Sequence, residues 1–544
     1  MATTKFSKKL FEKEIGKLTE EMQNKIAMFG TTVESLTDDE LEIDVSPNRP
    51  DLLSYQGFKQ AFLGFLGKKI GLQNYKIYPP EKDYIVNIDS SVKEIRPYTA
   101  CAIVKNLKFD DEKIKEIVDI QEKLHNTIGR KRKKIAIGIY PLEKITLPIT
   151  LKALEPDKIK FIPLETEREM SGLQILQRHP TGRDYAHLLA GKEKFPIFID
   201  AKNQILSMPP IINSQTTGKI TETTKDVFVE CSGFDFEILK KCLNIIIITL
   251  ANLGGKVYSM QLTGNLKEKT PNLTPEKNKI SLENTNKVLG LSLNEKQLKQ
   301  LLEKMGHNYN PKNKEVESPA WRTDILHEVD LIEDVAIAYG YNNFKPEIPE
   351  IATIGEEAPK EKIKRKISNI LAGLGFLETS SVHLTKKEDQ IEKMGLDKDP
   401  QVIEIKESKT EYTTLRKNLT TCLLKILSEN IDVEYPQSIF EMGKVFSLKN
   451  NIVEKENLAI AGTPRNFTQI KQVIEYLFRM LDLEIEIEES EKFPPEFIEG
   501  RVGFIKLKNK EIGYLGEIHP NILRNWKIKM PVSLCEIDLT EIFN

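Results

Sequence analysis

The chain is poor in cysteine: Cys101, Cys231, Cys242, Cys422 and Cys535 are scattered over 544 residues without a C-x-x-C pair. That spacing excludes a zinc ribbon and a disulfide framework and fits a reducing compartment. Long apolar runs are missing as well. The longest, IIIITLA from Ile245 to Ala251, is far short of a bilayer span, and the start MATTKFSKKLFEKE lacks the apolar core of a secretory signal. A cytoplasmic protein that spans no membrane is expected. Neither sign of charge prevails: 79 basic side chains face 81 acidic ones, for a net charge of -2. This argues against wholesale coating by nucleic acid and leaves room for RNA binding by a local basic patch or a basic partner chain. There is no G-x-x-x-x-G-K-[ST] loop, no H-E-x-x-H and no G-x-S-x-G elbow, and the seven histidines do not cluster at ligand spacing.

What is present suffices for several cores. A chain this long exceeds what one core organises, so roughly three to five domains are expected. Residues 1–85 form the first. In EIDVSPNRPDLLSYQGFKQAFLGFLGKK a strand meets a Pro-Asn-Arg-Pro turn and then a helix that carries Asp51 in its first turn and buries Leu52, Leu53 and Phe58. Pro79-Pro80 marks a linker. Residues 86–265 read as a mixed α/β domain. Strand-like KKIAIGIYPL and FPIFIDAKNQILSMPPIIN accompany the helix DDEKIKEIVDIQEKLHNTIG, and the long apolar helix DFEILKKCLNIIIITLAN stops at Gly254-Gly255.

Residues 277–350 read as a small helix-rich module. Its helix SLNEKQLKQLLEKMGHNY starts at a Ser/Asn cap and stops at Gly306. In residues 355–544 helices alternate with hairpin strands, SIFEMGKVFSL and VGFIKLKNKEIGYLGEI among them, which predicts an α+β domain with an antiparallel sheet. The fold class is thus multidomain α+β.

Within the small module, WRTDILHEVDLIEDVAIAYGYNNFKP gathers Asp324, Asp330, Glu333 and Asp334. At about 100° per residue, Leu331, Ile332, Val335, Ala336 and Tyr339 form an apolar stripe, and Asp330, Glu333 and Asp334 take the opposite face. Asp324 lies upstream, within reach by folding back. Two readings stay open at this level: a solvated acidic face near a helix N-terminus, or an oxygen-ligand site for a hard cation such as magnesium.

Other features are blander. GRKRKK, Gly129 to Lys134, reads as a solvated loop or a phosphate contact. His179 and His187 flank a turn and read as structural, and Cys231 as a small buried residue. By themselves LSMPPIIN and VFVECSG are two strands with polar edges.

Four stretches, in order, resemble the beta subunits of phenylalanyl-tRNA synthetase in their archaeal and eukaryotic-cytosolic form. SPNRPDLLSYQGFKQAFLGFLG is similar to the N-terminal signature, LSMPPIINSQTTGKITETTKDVFVECSGFD to the editing domain and WRTDILHEVDLIEDVAIAYGYNN to the acidic signature. EIGYLGEIHPNIL with CEIDL is similar to the end of the catalytic-like module.

The resemblance implies a class II ligase of two alpha and two beta chains that attaches phenylalanine to its tRNA with ATP, the synthetic chemistry lying on alpha. No F-R-x-E or G-x-G-x-x-R element is present here, and Glu441 and Met442 stand where an ATP contact would want arginine. The last domain is therefore expected to be a degenerate class II sheet that supports alpha. The resemblance also implies a magnesium ion at Asp324, Asp330, Glu333 and Asp334, shared with alpha. It further implies an editing pocket for mischarged tyrosyl-tRNA at Ser207, Asn213, Glu230 and Ser232. Glu230 and Ser232 replace an aspartate and a threonine common in archaeal relatives, which alters the pocket depth. A subunit that only scaffolds alpha, and a free-standing tRNA-binding or deacylating protein, are the competing expectations.

Overall fold

Strand Ile149–Leu154 buries every second side chain, whereas Ile135–Pro141 and Val227–Gly233 bury all seven of theirs. A strand buried throughout must be covered on both faces. The cover explains the apolar sequence of the long helix Phe236–Asn252, which packs across Tyr98–Lys105 and Val227–Gly233, while Asp111–Asn126 covers Ile135–Pro141. The computed structural model that establishes this describes residues 2–489 and 493–543. It divides into two compact units, Met1–Glu347 and Ile348–Asn544.

The large sheet of the first unit runs Ile212–Asn213, Ile205–Met208, Phe195–Ile199, Ile149–Leu154, Ile85–Ile88, Lys256–Gly264, Tyr98–Lys105, Val227–Gly233, Ile135–Pro141. Its faces are sorted by the two-residue period of a strand. Ala100, Ala102, Ile137, Ile139, Val229 and Cys231 join the helix-covered core, and Cys101, Ile103, Tyr140 and Phe228 join a second core on the other side. IIIITLA is helical, and Gly254 takes the left-handed φ of 97° that ends the helix.

Ahead of this sheet, Ala2–Ser7, Glu40–Val45 and Thr32–Leu36 form a three-stranded sheet. One expectation needs correcting. Asp51 is in the first turn not of the long helix but of a separate short 3-10 helix, Pro50–Leu52; the helix Tyr55–Phe65 starts later, capped by Ser54, which accepts the Gly57 N–H at 3.0 Å. Two helices opening so close together require the chain to turn twice, and the buried Arg49–Asp51 pair, 2.8 Å apart, holds the first turn. The acidic module carries helices Leu282–Leu289, Glu295–Lys304 and Glu328–Tyr339, with a three-stranded sheet as well.

The second unit holds a seven-stranded sheet, antiparallel except where Leu377–Glu378 pairs with Gln437–Leu448. Helices Pro359–Gly373 and Phe467–Met480 cover one face, and Thr420–Glu429 the other. No helix among the described residues is long and apolar enough to cross a membrane.

Candidate functional site

Glu230 occupies the middle of Val227–Gly233, directly between Cys101 and Gly138 on the flanking strands. The residue is 1% exposed. Ser207 pairs with Asn213 across a hairpin, so both side chains share a face. All three line one cavity of about 390 Å³, together with Glu122, His125 and Arg132.

A fourth polar group ties them together. The Tyr140 hydroxyl lies 2.8 Å from Ser207 Oγ, 3.3 Å from Glu230 Oε1 and 3.4 Å from Asn213 Oδ1. Tyr140 reaches them by folding back over Gly138, where a Cβ would sit 2.1 Å from its hydroxyl oxygen. Glu230 Oε2, equally buried, has no partner. Burial pushes the Glu230 carboxyl up to about 8, against the opposing pull of the Arg96 charge and the Ser232 and Tyr140 hydroxyls.

Ser232 is placed differently from the other three expected residues. It faces the same side of its strand as Glu230 but does not line the cavity; its Oγ accepts from Arg96 Nε at 3.1 Å and its carbonyl from Arg96 Nη2 at 2.6 Å. Arg96 is itself buried, which lowers its guanidinium to about 10.

Sequence reasoning missed Tyr140, Arg96 and the inward turn of Arg132 within the basic loop. For Tyr140 there was a signal: a glycine two residues earlier within a β-branched strand marks a close approach. Arg132, read as part of a solvated run, turns inward instead, donating to Ile211 O at 2.8 Å and to Glu122 Oε1 at 2.7 Å. Its neighbours Arg130, Lys131, Lys133 and Lys134 stay exposed. His125 lies on the wall but is engaged at both nitrogens, accepting the Ile137 N–H at Nε2 (2.8 Å) and meeting Glu122 at Nδ1 (3.2 Å). Burial holds it below the usual histidine range.

The four acidic residues fall into three environments. Asp324 does fold back, but onto Arg322, which grips it at 2.8 and 2.7 Å and also reaches Asp334 at 2.9 Å. Asp334, expected on the acidic face, is buried and bonds His307 Nε2 at 2.7 Å. Burial alone would raise its carboxyl; the Arg322 charge and the His307 bond hold it well below the carboxylate range. Asp330 Oδ2 accepts the N–H groups of Leu326 and His327, both at 2.7 Å. Glu333 is exposed. Among the described residues no three His, Cys, Asp or Glu side chains converge as a metal would need. This donor set does not fit one magnesium held by all four, because an arginine already neutralises two of them.

Against this geometry, three family models match the chain: the B3/4 domain over residues 83–249, the tRNA synthetase B5 domain over 278–341, and the phenylalanyl tRNA synthetase beta chain CLM domain over 345–539. The cavity lies within the first match and the acidic helix within the second. The phenylalanine–tRNA ligase beta subunit of Thermococcus sibiricus is 39% identical over 506 residues, 91% of this chain and 90% of that protein. That of Archaeoglobus fulgidus is 36% identical over 539 residues, 98% and 97% respectively. The chain belongs to the phenylalanyl-tRNA synthetase beta-subunit family.

A solved relative agrees: the N-terminal fragment of the Pyrococcus horikoshii phenylalanyl-tRNA synthetase beta subunit is 36% identical, covers 62% of this chain and 99% of its own, and superposes with a TM-score of 0.60. In the second unit of this family member, two buried carboxylates of the sheet are satisfied internally. Glu441 accepts from Arg416 at 2.6 Å and from the Ser381 hydroxyl at 2.8 Å. Glu536, across Ala459 on the same sheet, accepts from Leu419 N, Thr420 N, Thr420 Oγ1 and Asn457 Nδ2.

Proposed function

We propose that this beta subunit works with an alpha chain, as two alpha and two beta, to attach phenylalanine to its tRNA, and that its own cavity hydrolyses mischarged tyrosyl-tRNA. A phenylalanine pocket rejects an isostere bearing one extra hydroxyl by only about a hundredfold. A second site must then recognise the phenol that the first fails to exclude.

The observation that carries this reading is Glu230: an acidic residue 1% exposed, on the wall of a cavity of about 390 Å³, with one oxygen unpartnered. An unpaired buried acceptor is costly in an empty site and is offset by a ligand hydroxyl. In the hydrolysis, water attacks the ester carbonyl carbon, the bond to the terminal ribose oxygen breaks, and that oxygen takes the proton. Both His125 nitrogens are committed, so water held by the Asn213 amide or the terminal ribose performs the attack in this account.

Synthesis stays with alpha: Glu441 and Glu536 are spent on internal partners rather than offered to a nucleotide. ATP and magnesium serve the assembled ligase. Asp330 and Glu333, which Arg322 does not hold, are the carboxylates this reading keeps for an ion shared with alpha. The exposed basic loop residues face tRNA phosphate, and the location is the cytoplasm. The test is the binding of hydrolysis-resistant 3′-amide analogues of aminoacyl-adenosine to the full chain by calorimetry. The tyrosyl compound is expected to bind at least about tenfold more tightly than the phenylalanyl one, since loss of a hydrogen bond to a charged or buried acceptor is worth that much. Equal binding would leave the chain a scaffold for alpha.

A further inference from the structure

Behind the cavity wall lies a polar group that neither the family resemblance nor the sequence motifs supplied. Tyr140 is completely buried and stacks on Phe228, its cross-strand partner, with ring centroids 5.8 Å apart. It does not line the cavity, while Ser207, Asn213 and Glu230 all do. Its hydroxyl nevertheless lies within 3.4 Å of all three.

We propose that Tyr140 is the positioning residue of this site: its hydroxyl fixes Ser207, Asn213 and Glu230 from behind and leaves Glu230 Oε2 as the oxygen that meets the substrate phenol. This rests on the tyrosyl-tRNA editing reading.

The chemistry constrains the hub closely. One hydroxyl has one proton and two lone pairs, so it can serve three partners only if two of them donate back. Ser207 can donate or accept, the Asn213 carbonyl oxygen can only accept, and Glu230 donates only while it holds its proton. Burial favours that proton, and Tyr140 is raised far above the ordinary phenol range by burial and by the facing Glu230, so it keeps its own. Of the other ionisable groups around Glu230, Arg96 favours the carboxylate, the Cys101 and Cys231 thiols are raised by burial and remain neutral, and Glu122, His125 and Arg132 line the same cavity. With Oε1 turned to Tyr140, the second oxygen is the one left without a hydrogen-bond partner. Were Tyr140 replaced by an apolar ring, Glu230 would be free to rotate, and both oxygens would compete for the substrate.

Gly138 is part of the same device. The ring can lie back along its own strand only where the intervening residue on that face has no side chain.

The experiment pairs two measurements on Tyr140→Phe, which keeps the ring. The first is tyrosyl-tRNA deacylation by the alpha–beta complex across pH. The expected result is a fall in kcat of about tenfold with KM changed less, as for loss of one oriented hydrogen bond, and an activity midpoint displaced upward, while phenylalanine charging is unchanged. The second is infrared titration of the Glu230 carboxyl in the full chain, assigned with Glu230→Gln, where the midpoint is expected to rise by at least about half a unit because a bond favouring the carboxylate is gone. An unmoved Glu230 midpoint overturns the hub whether or not the complex deacylates. A moved midpoint in a complex that never clears tyrosyl-tRNA keeps the hub and overturns the editing reading instead. A moved midpoint with unaltered deacylation overturns the positioning role.

Discussion

Arg322 grips Asp324 with both ends of its guanidinium fork, Nε to Oδ1 at 2.8 Å and Nη2 to Oδ2 at 2.7 Å. The same Nη2 meets Asp334. The acidic signature is therefore partly an ion-pair lock in the module's interior, closed from the other side by His307.

Replacing Arg322 with methionine strands two carboxylates, one of them fully enclosed. The expected cost is about 3–5 kcal/mol, because an uncompensated buried charge remains. Asp330→Ala should cost only about 0.5–2 kcal/mol, the usual value of a helix-capping carboxylate. Denaturant midpoints of the full chain check both. Equal, small losses would mean that the lock contributes nothing.

Glu230 makes stability fall as pH rises. Its folded value of about 8 exceeds the ordinary 4.5, so between these the native state holds a proton that the unfolded chain has released. Its contribution is complete below pH 4.5 and is lost as pH rises through about 8, with a slope of up to about 1.4 kcal/mol per pH unit. Glu230→Gln cannot titrate. It is expected to match the native chain at pH 5 and to melt at a higher temperature at pH 8.5; identical melting at both pH values would contradict the burial argument. His125, lowered by burial, acts oppositely: its stabilisation is present above pH 6.5 and is lost as pH falls below that through its depressed folded value.

Gly138→Ala places a methyl 2.1 Å from the Tyr140 hydroxyl, so the ring must leave the hub or the strands must part. Overpacking of this kind costs about 1–3 kcal/mol. Thermal melts would register the loss, and the Glu230 midpoint should move in the same direction as in Tyr140→Phe.

Much of this was legible in local pattern. Periodicity made Phe236–Asn252 a helix and Val227–Gly233 a strand because burial follows geometry within one element. What the pattern could not supply was partnership across elements. Asp334 sits on the helix face assigned to solvent, and only the arrival of Arg322 and His307, 12 and 27 residues away, makes its burial tolerable. Arg132 likewise left its exposed neighbours because Glu122 and the Ile211 carbonyl awaited it. Ser232 kept the strand face its position implied, yet Arg96 claimed its hydroxyl.

The basic loop divides into exposed charges and one arginine turned inward. Lys131→Ala with Lys134→Ala removes exposed charge and should lower tRNA affinity and flatten its salt dependence, the slope falling by about one for each phosphate no longer neutralised. Arg132→Ala should instead disturb the cavity wall and leave the salt slope as it was. Titrations of tRNA at several salt concentrations separate these outcomes.

In the proposed editing reaction, a buried carboxyl of this subunit recognises the tyrosine hydroxyl so that the ester is cleaved. Tyrosyl-tRNA deacylation by the assembled complex, native against Glu230→Ala, tests this without an intermediary when phenylalanine charging is measured on the same preparations. Deacylation is expected to fall by at least about tenfold while charging is retained. Equal deacylation by both complexes would contradict that role for Glu230.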